Sequence, residues 1–244
     1  MDNWLSELSS EQRVLDLGAG TGSFNYARYP CSVFAVDAEA TFLRNSVGNT
    51  RLYRINALSD RLPVSDHTFE LVICHNTLEH FTQLRETLDE VRRVLKPQGR
   101  LFVSIPNGYG FADNLYRFVL AGGGHVNRFR FSDVVRCVED VVGVRLVKWK
   151  KLYASFIYLK KPALNVLPHS PLRIRLISRL PAIVFVLAQW LLNIITRLAD
   201  RMFHTDIALY GWALYFARVP EGSPFEESTF LNVCMHCGAG HPAT

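Results

Sequence analysis

Residues 14–24 read VLDLGAGTGSF, a short apolar run carrying one aspartate and then three glycines alternating with small residues. An apolar run of that length is a strand buried on both faces, which is the habit of parallel sheets covered by helices. Glycines directly after such a strand let backbone N–H groups come close to a ligand at the start of the next helix. One stretch therefore narrows the chain to an α/β fold with a ligand at the strand's carboxyl end.

The next 130 residues repeat that theme. SVFAVD (Ser32–Asp37), RLYRINA (Arg51–Ala57), FELVICHN (Phe69–Asn76) and GRLFVSIPN (Gly99–Asn107) read as further strands. Leu84, Leu88, Val91 and Leu95 recur at helical spacing and predict a helix over Leu78–Leu95, closed by Pro97 and Gly99. A second helix is expected in FSDVVRCVEDVVG, with Ser132 as N-cap and Gly143 as its stop. VRLVKW and ALYGWALYFARV supply the final strands. The composition, 49% hydrophobic and 20% charged, is that of a folded chain.

The glycine pattern is D-x-G-x-G-x-G, on Asp16, Gly18, Gly20 and Gly22, with Ala19 between the first two glycines. The dinucleotide fingerprint G-x-G-x-x-G requires a glycine at 23, where this chain has Ser23. Asp16 would repel a pyrophosphate but accept hydrogen bonds from an ammonium group. Asp37, with Ala38 beside it, ends the second strand, where a carboxylate suits the two hydroxyls of a ribose. Asn56, Ala57 and Leu58 end the third, where a polar side chain and a backbone N–H suit an adenine. A ligand with an amino-acid end and a nucleoside end fits all three positions, and S-adenosylmethionine is such a ligand.

With these residues in view, Gln12–Val147 resembles the class I S-adenosylmethionine-dependent methyltransferases, in the branch with small-molecule, lipid and glycan acceptors. VLDLGAGTGSF matches the first motif, AVDAEATFL the acidic ribose site, and NALSDRLPVSDHTFELVICHNTLEHF the third and fourth strands. EVRRVLKPQGRLFVSIPN matches the helix and fifth strand. Two positions depart from the family's pattern: Asn56 stands where aspartate is usual, and Phe69-Glu70 where Phe-Asp is usual. The resemblance implies an α/β, Rossmann-like, doubly wound seven-stranded sheet whose last strand is antiparallel. It implies S-adenosylmethionine as cofactor, with His75 and Asn76 near its methionine part. By the same match His125 is the expected base or acceptor-orienting group, with His80 second to it. The reaction expected is methyl transfer to oxygen of a quinone precursor, lipid or glycan. An N/D-P-P-Y/F run, which marks amino-group methylation of bases or glutamine, is absent after the fourth strand, where the chain reads CHNTLEH. Cys74 and Cys137 lack the proline context of a cytosine-C5 nucleophile. Nucleic acid is thus a disfavoured partner. An RNA methyltransferase and a non-catalytic S-adenosylmethionine-binding protein stand as the rival readings.

Charge divides the chain unevenly. The net charge is +5, yet Arg145–Arg218 holds twelve Lys and Arg against Asp200 and Asp206, a net +10. Within it lies an insertion (150–205) that divides the expected core (1–149 and 206–220). It opens with Pro162, Pro168 and Pro171 and predicts a helix over Pro181–His204 with one narrow polar stripe, Gln189, Asn193, Thr196, Arg197 and Asp200 among its members. Two fates are open to so apolar a helix: a membrane interface through 172–204, or packing on the core or on a second subunit in a homodimer. The N-terminus MDNWLSELSSEQR has no basic-then-apolar leader, which points to the cytoplasm, with the inner membrane face as a docking place. No metal is expected in the core. The tail (221–244) carries Cys234-x-x-Cys237 with His236 and His241, half of a zinc site or a flexible end.

Overall fold

The computed structural model describes residues 1–39, 51–120, 125–152, 172–177, 179–218, 226–233 and 240–242. The strands are β1 (Arg13–Leu17), β2 (Ser32–Asp37), β3 (Leu52–Asn56), β4 (Phe69–His75), β5 (Leu95–Pro106), β6 (Arg145–Leu152), β7 (Gly211–Ala217), β8 (Glu226–Val233) and β9 (Gly240–Pro242). The helices are α1 (Asp2–Ser6), α2 (Leu84–Val94), α3 (Phe111–Leu120), α4 (Phe131–Val142), α5 (Leu172–Ile177) and α6 (Ala182–Phe203). They build one sheet in the order β3-β2-β1-β4-β5-β7-β6-β8-β9.

The first seven strands are the expected doubly wound sheet. Strands β1 to β5 pair in parallel, and β7 runs antiparallel to both β5 and β6. The residue types account for this. Phe69, Leu71, Val72, Ile73 and Cys74 of β4 are fully buried, so this strand faces apolar layers on both sides. On one side Leu88, Val91 and Val94 of α2 and Val134, Val138 and Val141 of α4 join the core. On the other, Leu5 of α1, Tyr26 and Tyr29 cover Val14, Leu71 and Ile73. Each fully buried Val or Leu contributes about 1.5–3 kcal/mol, which outweighs the weak helix propensity of the valine-rich α4. Beyond the seven strands, β8 and β9 extend the edge, so part of the expected tail belongs to the sheet. Cys234, His236 and Cys237 lie outside the described residues, as do Pro162, Pro168 and Pro171.

Two local expectations change. The helix expected from Leu78 starts at Leu84, because Leu78–His80 forms a separate 3-10 turn. Its carbonyls are turned to another segment: Val126 and Asn127 N–H both bond to the Glu79 oxygen. The N-cap of α4 is Arg130, not Ser132. The Arg130 N–H is met by the Asp133 carboxylate at 3.2 Å, which draws the start of the helix two residues earlier. Its stop is as expected, with Gly143 left-handed at φ 74°.

The helical insertion precedes β7. Helix α6 spans the expected stretch, but its facing is inverted. Phe185 and Thr196 are its buried residues, and Leu192 packs beside Ala112, Ala208 and Tyr210. Gln189, Asn193 and Asp200 of the polar stripe are half-buried, while Ile183, Leu187, Trp190, Leu191, Leu198 and Met202 are exposed. Among the described residues, most of the apolar face of α6 lies away from this chain's own core.

Candidate active site

The chain leaves β1 for β2 and β3 on one side and returns to β4 on the other, so the sheet order reverses between β1 and β4. At such a switch point the loops diverge and leave a cleft at the strands' carboxyl ends. A cavity of about 640 Å³ lies there, within the range of about 300–1,000 Å³ usual for small-molecule sites. Gly18 and Gly20 after β1, Asp37 and Ala38 after β2, Ala57 and Leu58 after β3, and Asn76 and His80 after β4 all line it.

The glycine loop is shaped by specific contacts. Gly18 and Ala19 N–H donate to the Val36 carbonyl at 2.9 and 3.0 Å, tying the loop to the end of β2. Gly18 has φ 69°, and a Cβ there would stand 2.7 Å from Thr77 Cγ2, so both backbone and neighbour require glycine. Gly20 has φ 50° and nothing within 4 Å of where a Cβ would stand, which leaves its cavity side open. Its N–H donates to Asp37 Oδ2 at 2.8 Å, and Glu39 N–H donates to Oδ1 at 3.0 Å. Asp37 is thus held at the cavity by two backbone donors with acceptor capacity to spare.

Asp16 is placed otherwise than its spacing suggested. Its carboxylate has no exposed surface and does not line the cavity. Oδ1 accepts from the Ser23 hydroxyl at 2.6 Å, and Oδ2 accepts from Ser23 N–H at 3.1 Å and from the Tyr26 hydroxyl. Burial raises its pKa against these bonds. Asp16 therefore pins the glycine loop from beneath. Asn56 is a second-hand contributor of the same kind. Its Nδ2 donates to the Ala38 carbonyl at 3.0 Å, and it does not line the cavity. His75 also stands behind the wall, its Nδ1 2.6 Å from Ser104 Oγ, with burial pushing its pKa down to about 4 and leaving the ring neutral. Ser59, Asp60, Thr82 and Gln83 line the cavity without having been singled out by any motif. Their only signal was position, two or three residues past a strand end or past the LEH turn.

The two histidines expected for chemistry come together. His80 and His125 rings meet edge to face with centroids 4.8 Å apart. The chain is brought there by Asn127, whose Nδ2 donates to the Leu78 and Phe81 carbonyls at 2.9 and 2.7 Å. Behind His125 stands Asp113 of α3, which the sequence reading did not single out. Its Oδ1 lies 2.8 Å from His125 Nδ1, and Arg117 Nε donates to its Oδ2 at 2.6 Å. Burial alone would raise the Asp113 pKa, but the bonds from His125 and Arg117 outweigh it and hold the carboxyl ionised. A carboxylate accepts and does not donate, so the His125 Nδ1 facing Asp113 is the nitrogen that carries a proton. Glu79 completes the cluster. It is buried, its Oε2 has no hydrogen-bond partner, and burial lifts its carboxyl to about 8. One donor atom each from Glu79, His80 and His125 lie within 4.8 Å of one another, so these three are the described residues that could hold a metal ion.

Residues 15–103 match the family model described as "Methyltransferase domain". The ubiquinone biosynthesis O-methyltransferase of Xylella fastidiosa (strain 9a5c) is 30% identical over 170 residues, covering 58% of this chain and 67% of that protein. The chain belongs to the class I S-adenosylmethionine-dependent methyltransferases. The uncharacterized methyltransferase YcgJ of Bacillus subtilis is 32% identical over 142 residues, 54% of this chain and 53% of that protein. The chain thus spans about half to two thirds of the length of these curated relatives. Among solved structures, the methyltransferase BH2331 of Bacillus halodurans superposes with a TM-score of 0.58 at 17% identity, over 89% of this chain and 97% of that one. At that identity the likeness concerns the fold.

The methyltransferase's cofactor is S-adenosylmethionine, and the cavity suits it. Leu17, Val36, Ala57 and Phe81 offer apolar walls for a base, Asp37 offers carboxylate oxygens for ribose hydroxyls, and Gly20 leaves open space beside its backbone.

Proposed function

We propose that this methyltransferase passes a methyl group to an oxygen of a small-molecule or lipid-linked acceptor, with His125 as the base that takes the acceptor's hydroxyl proton. The observation that supports the reading is the Asp113–His125 pair packed against His80, which lines the cofactor cavity; His125 itself is not among the lining residues. When bound, S-adenosylmethionine supplies a methyl group already activated on a sulfonium. The protein's part is position, exclusion of water and proton removal. Asp37, Gly18, Gly20, Ala57, Leu58 and Asn76 would hold the cofactor. Asp113 holds His125 in the tautomer whose Nε2 can accept a proton, and Arg117 keeps that carboxylate in place. His80, at the cavity wall and against His125, orients the acceptor oxygen between ring and cavity. The name of the Xylella fastidiosa relative, an O-methyltransferase, is in keeping with oxygen as the acceptor atom.

The test is a label partition. Protein is incubated with methyl-labelled S-adenosylmethionine and cell extract, and organic, aqueous, RNA and protein fractions are separated. Label in organic-soluble or small aqueous products, reduced about 10²- to 10⁴-fold in His125→Gln, is the expected outcome. Label in RNA would assign another acceptor class. Cofactor binding with no label in any fraction would make this a binding protein.

A further inference from the structure

We infer that α6 docks this methyltransferase on an anionic lipid bilayer, lying along the interface with its outward face among the acyl chains. The helix is built inside-out for a water-facing element. A surface helix turns its apolar stripe to the core and its polar residues to solvent, whereas here Gln189, Asn193 and Thr196 lie toward the protein and Leu187, Trp190, Leu191 and Leu198 away from it. Of its most apolar 18-residue window, 11% is buried. Exposed apolar surface of that extent marks a place another apolar phase must cover.

The attachment of the helix sets how it meets that phase. Phe185 and Thr196 are both buried and stand about 16 Å apart along the axis at about 1.5 Å per residue, and Leu192 between them packs beside Ala112 and Ala208. Asp200 then accepts from Thr205 Oγ1 and from the Ile207 and Ala208 N–H groups at 2.6–2.7 Å, fastening the helix end to the chain that enters β7. A helix held at both ends along the protein presents one long side, so it lies in the interface plane instead of crossing the bilayer.

Charge selects the occupant. The segment Arg145–Arg218 carries +10, and both of its acids are engaged within the protein: Asp200 as above, and Asp206 with Lys151 Nζ at 2.8 Å. Arg179, Arg197 and Arg201 are exposed, with no ion pair among the described residues. A second copy seated on α6 would bring the same positive segment against itself, whereas anionic headgroups neutralise it. A groove of about 350 Å³ beside α6 combines apolar walls from Val186, Trp190 and Ile194 with the Arg197 side chain. That pairing of greasy wall and cation matches an acyl chain below a phosphate.

The test is flotation of the full chain with phosphatidylcholine vesicles, with and without phosphatidylglycerol. Binding is expected on the anionic vesicles, up to about a hundredfold above the neutral ones, from three arginines near the surface. Trp190→Glu with Leu187→Glu should abolish it, and Arg197→Glu with Arg201→Glu should remove most of the preference for anionic lipid. These positions face outward, so circular dichroism and S-adenosylmethionine binding should be unchanged and serve as the folding control. Absence of wild-type binding, or binding indifferent to all four substitutions, overturns the inference. So does a dimer in solution that Leu187→Glu disperses when no vesicle is bound. Flotation is read without methyl transfer, so its failure and that of the proposed reaction are told apart.

Discussion

Glu79→Gln offers a direct test of how the histidine cluster is charged. Glu79 is 2% exposed, and its Oε2 has no partner. Burial, with a smaller push from Asp113, raises its pKa from 4.5 to about 8. Between those values the unfolded chain has released this proton and the folded protein retains it. Stability therefore falls as pH rises through that window, by about 1.4 kcal/mol per unit. Over the whole window the loss approaches about 5 kcal/mol, an upper bound because local relaxation and water entry soften burial. Glutamine is neutral throughout and of nearly equal size, so it escapes the penalty. Urea denaturation of both proteins at pH 5 and pH 8 should give similar stabilities at the lower value. At the higher, Glu79→Gln should be more stable by a few kcal/mol. A difference independent of pH, or a variant less stable at pH 8, would refute the reasoning. It would mean that the carboxylate is ionised in the folded protein and balanced by a protonated imidazole, His80 or His125.

Three further outcomes follow from the geometry. Gly18→Ala places a Cβ 2.7 Å from Thr77 Cγ2 at φ 69°; calorimetry should show S-adenosylmethionine binding weakened tenfold or more, at a backbone cost of about 1–2 kcal/mol, and unchanged affinity would contradict the loop's assignment. Asp16→Asn leaves the Tyr26 hydroxyl facing an amide and should cost about 1–3 kcal/mol of stability, measured by thermal unfolding; full stability with lost cofactor affinity would instead mean that Asp16 meets the ligand. Asp113→Asn frees Arg117 and removes the carboxylate behind His125, so kcat should fall by about 10² or more while the acceptor's KM moves little; equal changes in both would make Asp113 a packing residue only.

The parts of this molecule that a sequence shows well are those set by local chemistry. β1, β2, β4 and β5 are continuous apolar runs because both faces are buried, and such runs stand out. The glycines stand out because Gly18 and Gly20 adopt a backbone that other residues avoid. What stayed hidden depends on partners distant in the chain. Asp16 lies two residues before Gly18, which invites a ligand role, and its bonds to Ser23 and Tyr26 appear only once those residues fold back beneath the loop. Asp113 is twelve residues from His125, on a helix with no motif, so nothing local joins them. The helix expected from Leu78 starts late because the Glu79 carbonyl is claimed by residues 126 and 127. For α6 the periodicity was plain and the facing was not, since a stripe reads the same whether it points in or out.

The hydrogen bond from Tyr210 N–H to the Leu152 carbonyl, 2.9 Å long, lies where β6 and β7 meet. Adjacent antiparallel strands can be closed by a two-residue turn, yet here residues 153 to 209 are spliced between these two bonded residues. That segment leaves and re-enters the sheet at one end of the β6–β7 pair, on the far side of β5 from the switch point. Such a graft can lengthen, shrink or be exchanged without shifting the register of any strand that builds the cavity. One sheet can thereby keep its methyl donor fixed while the appendage varies.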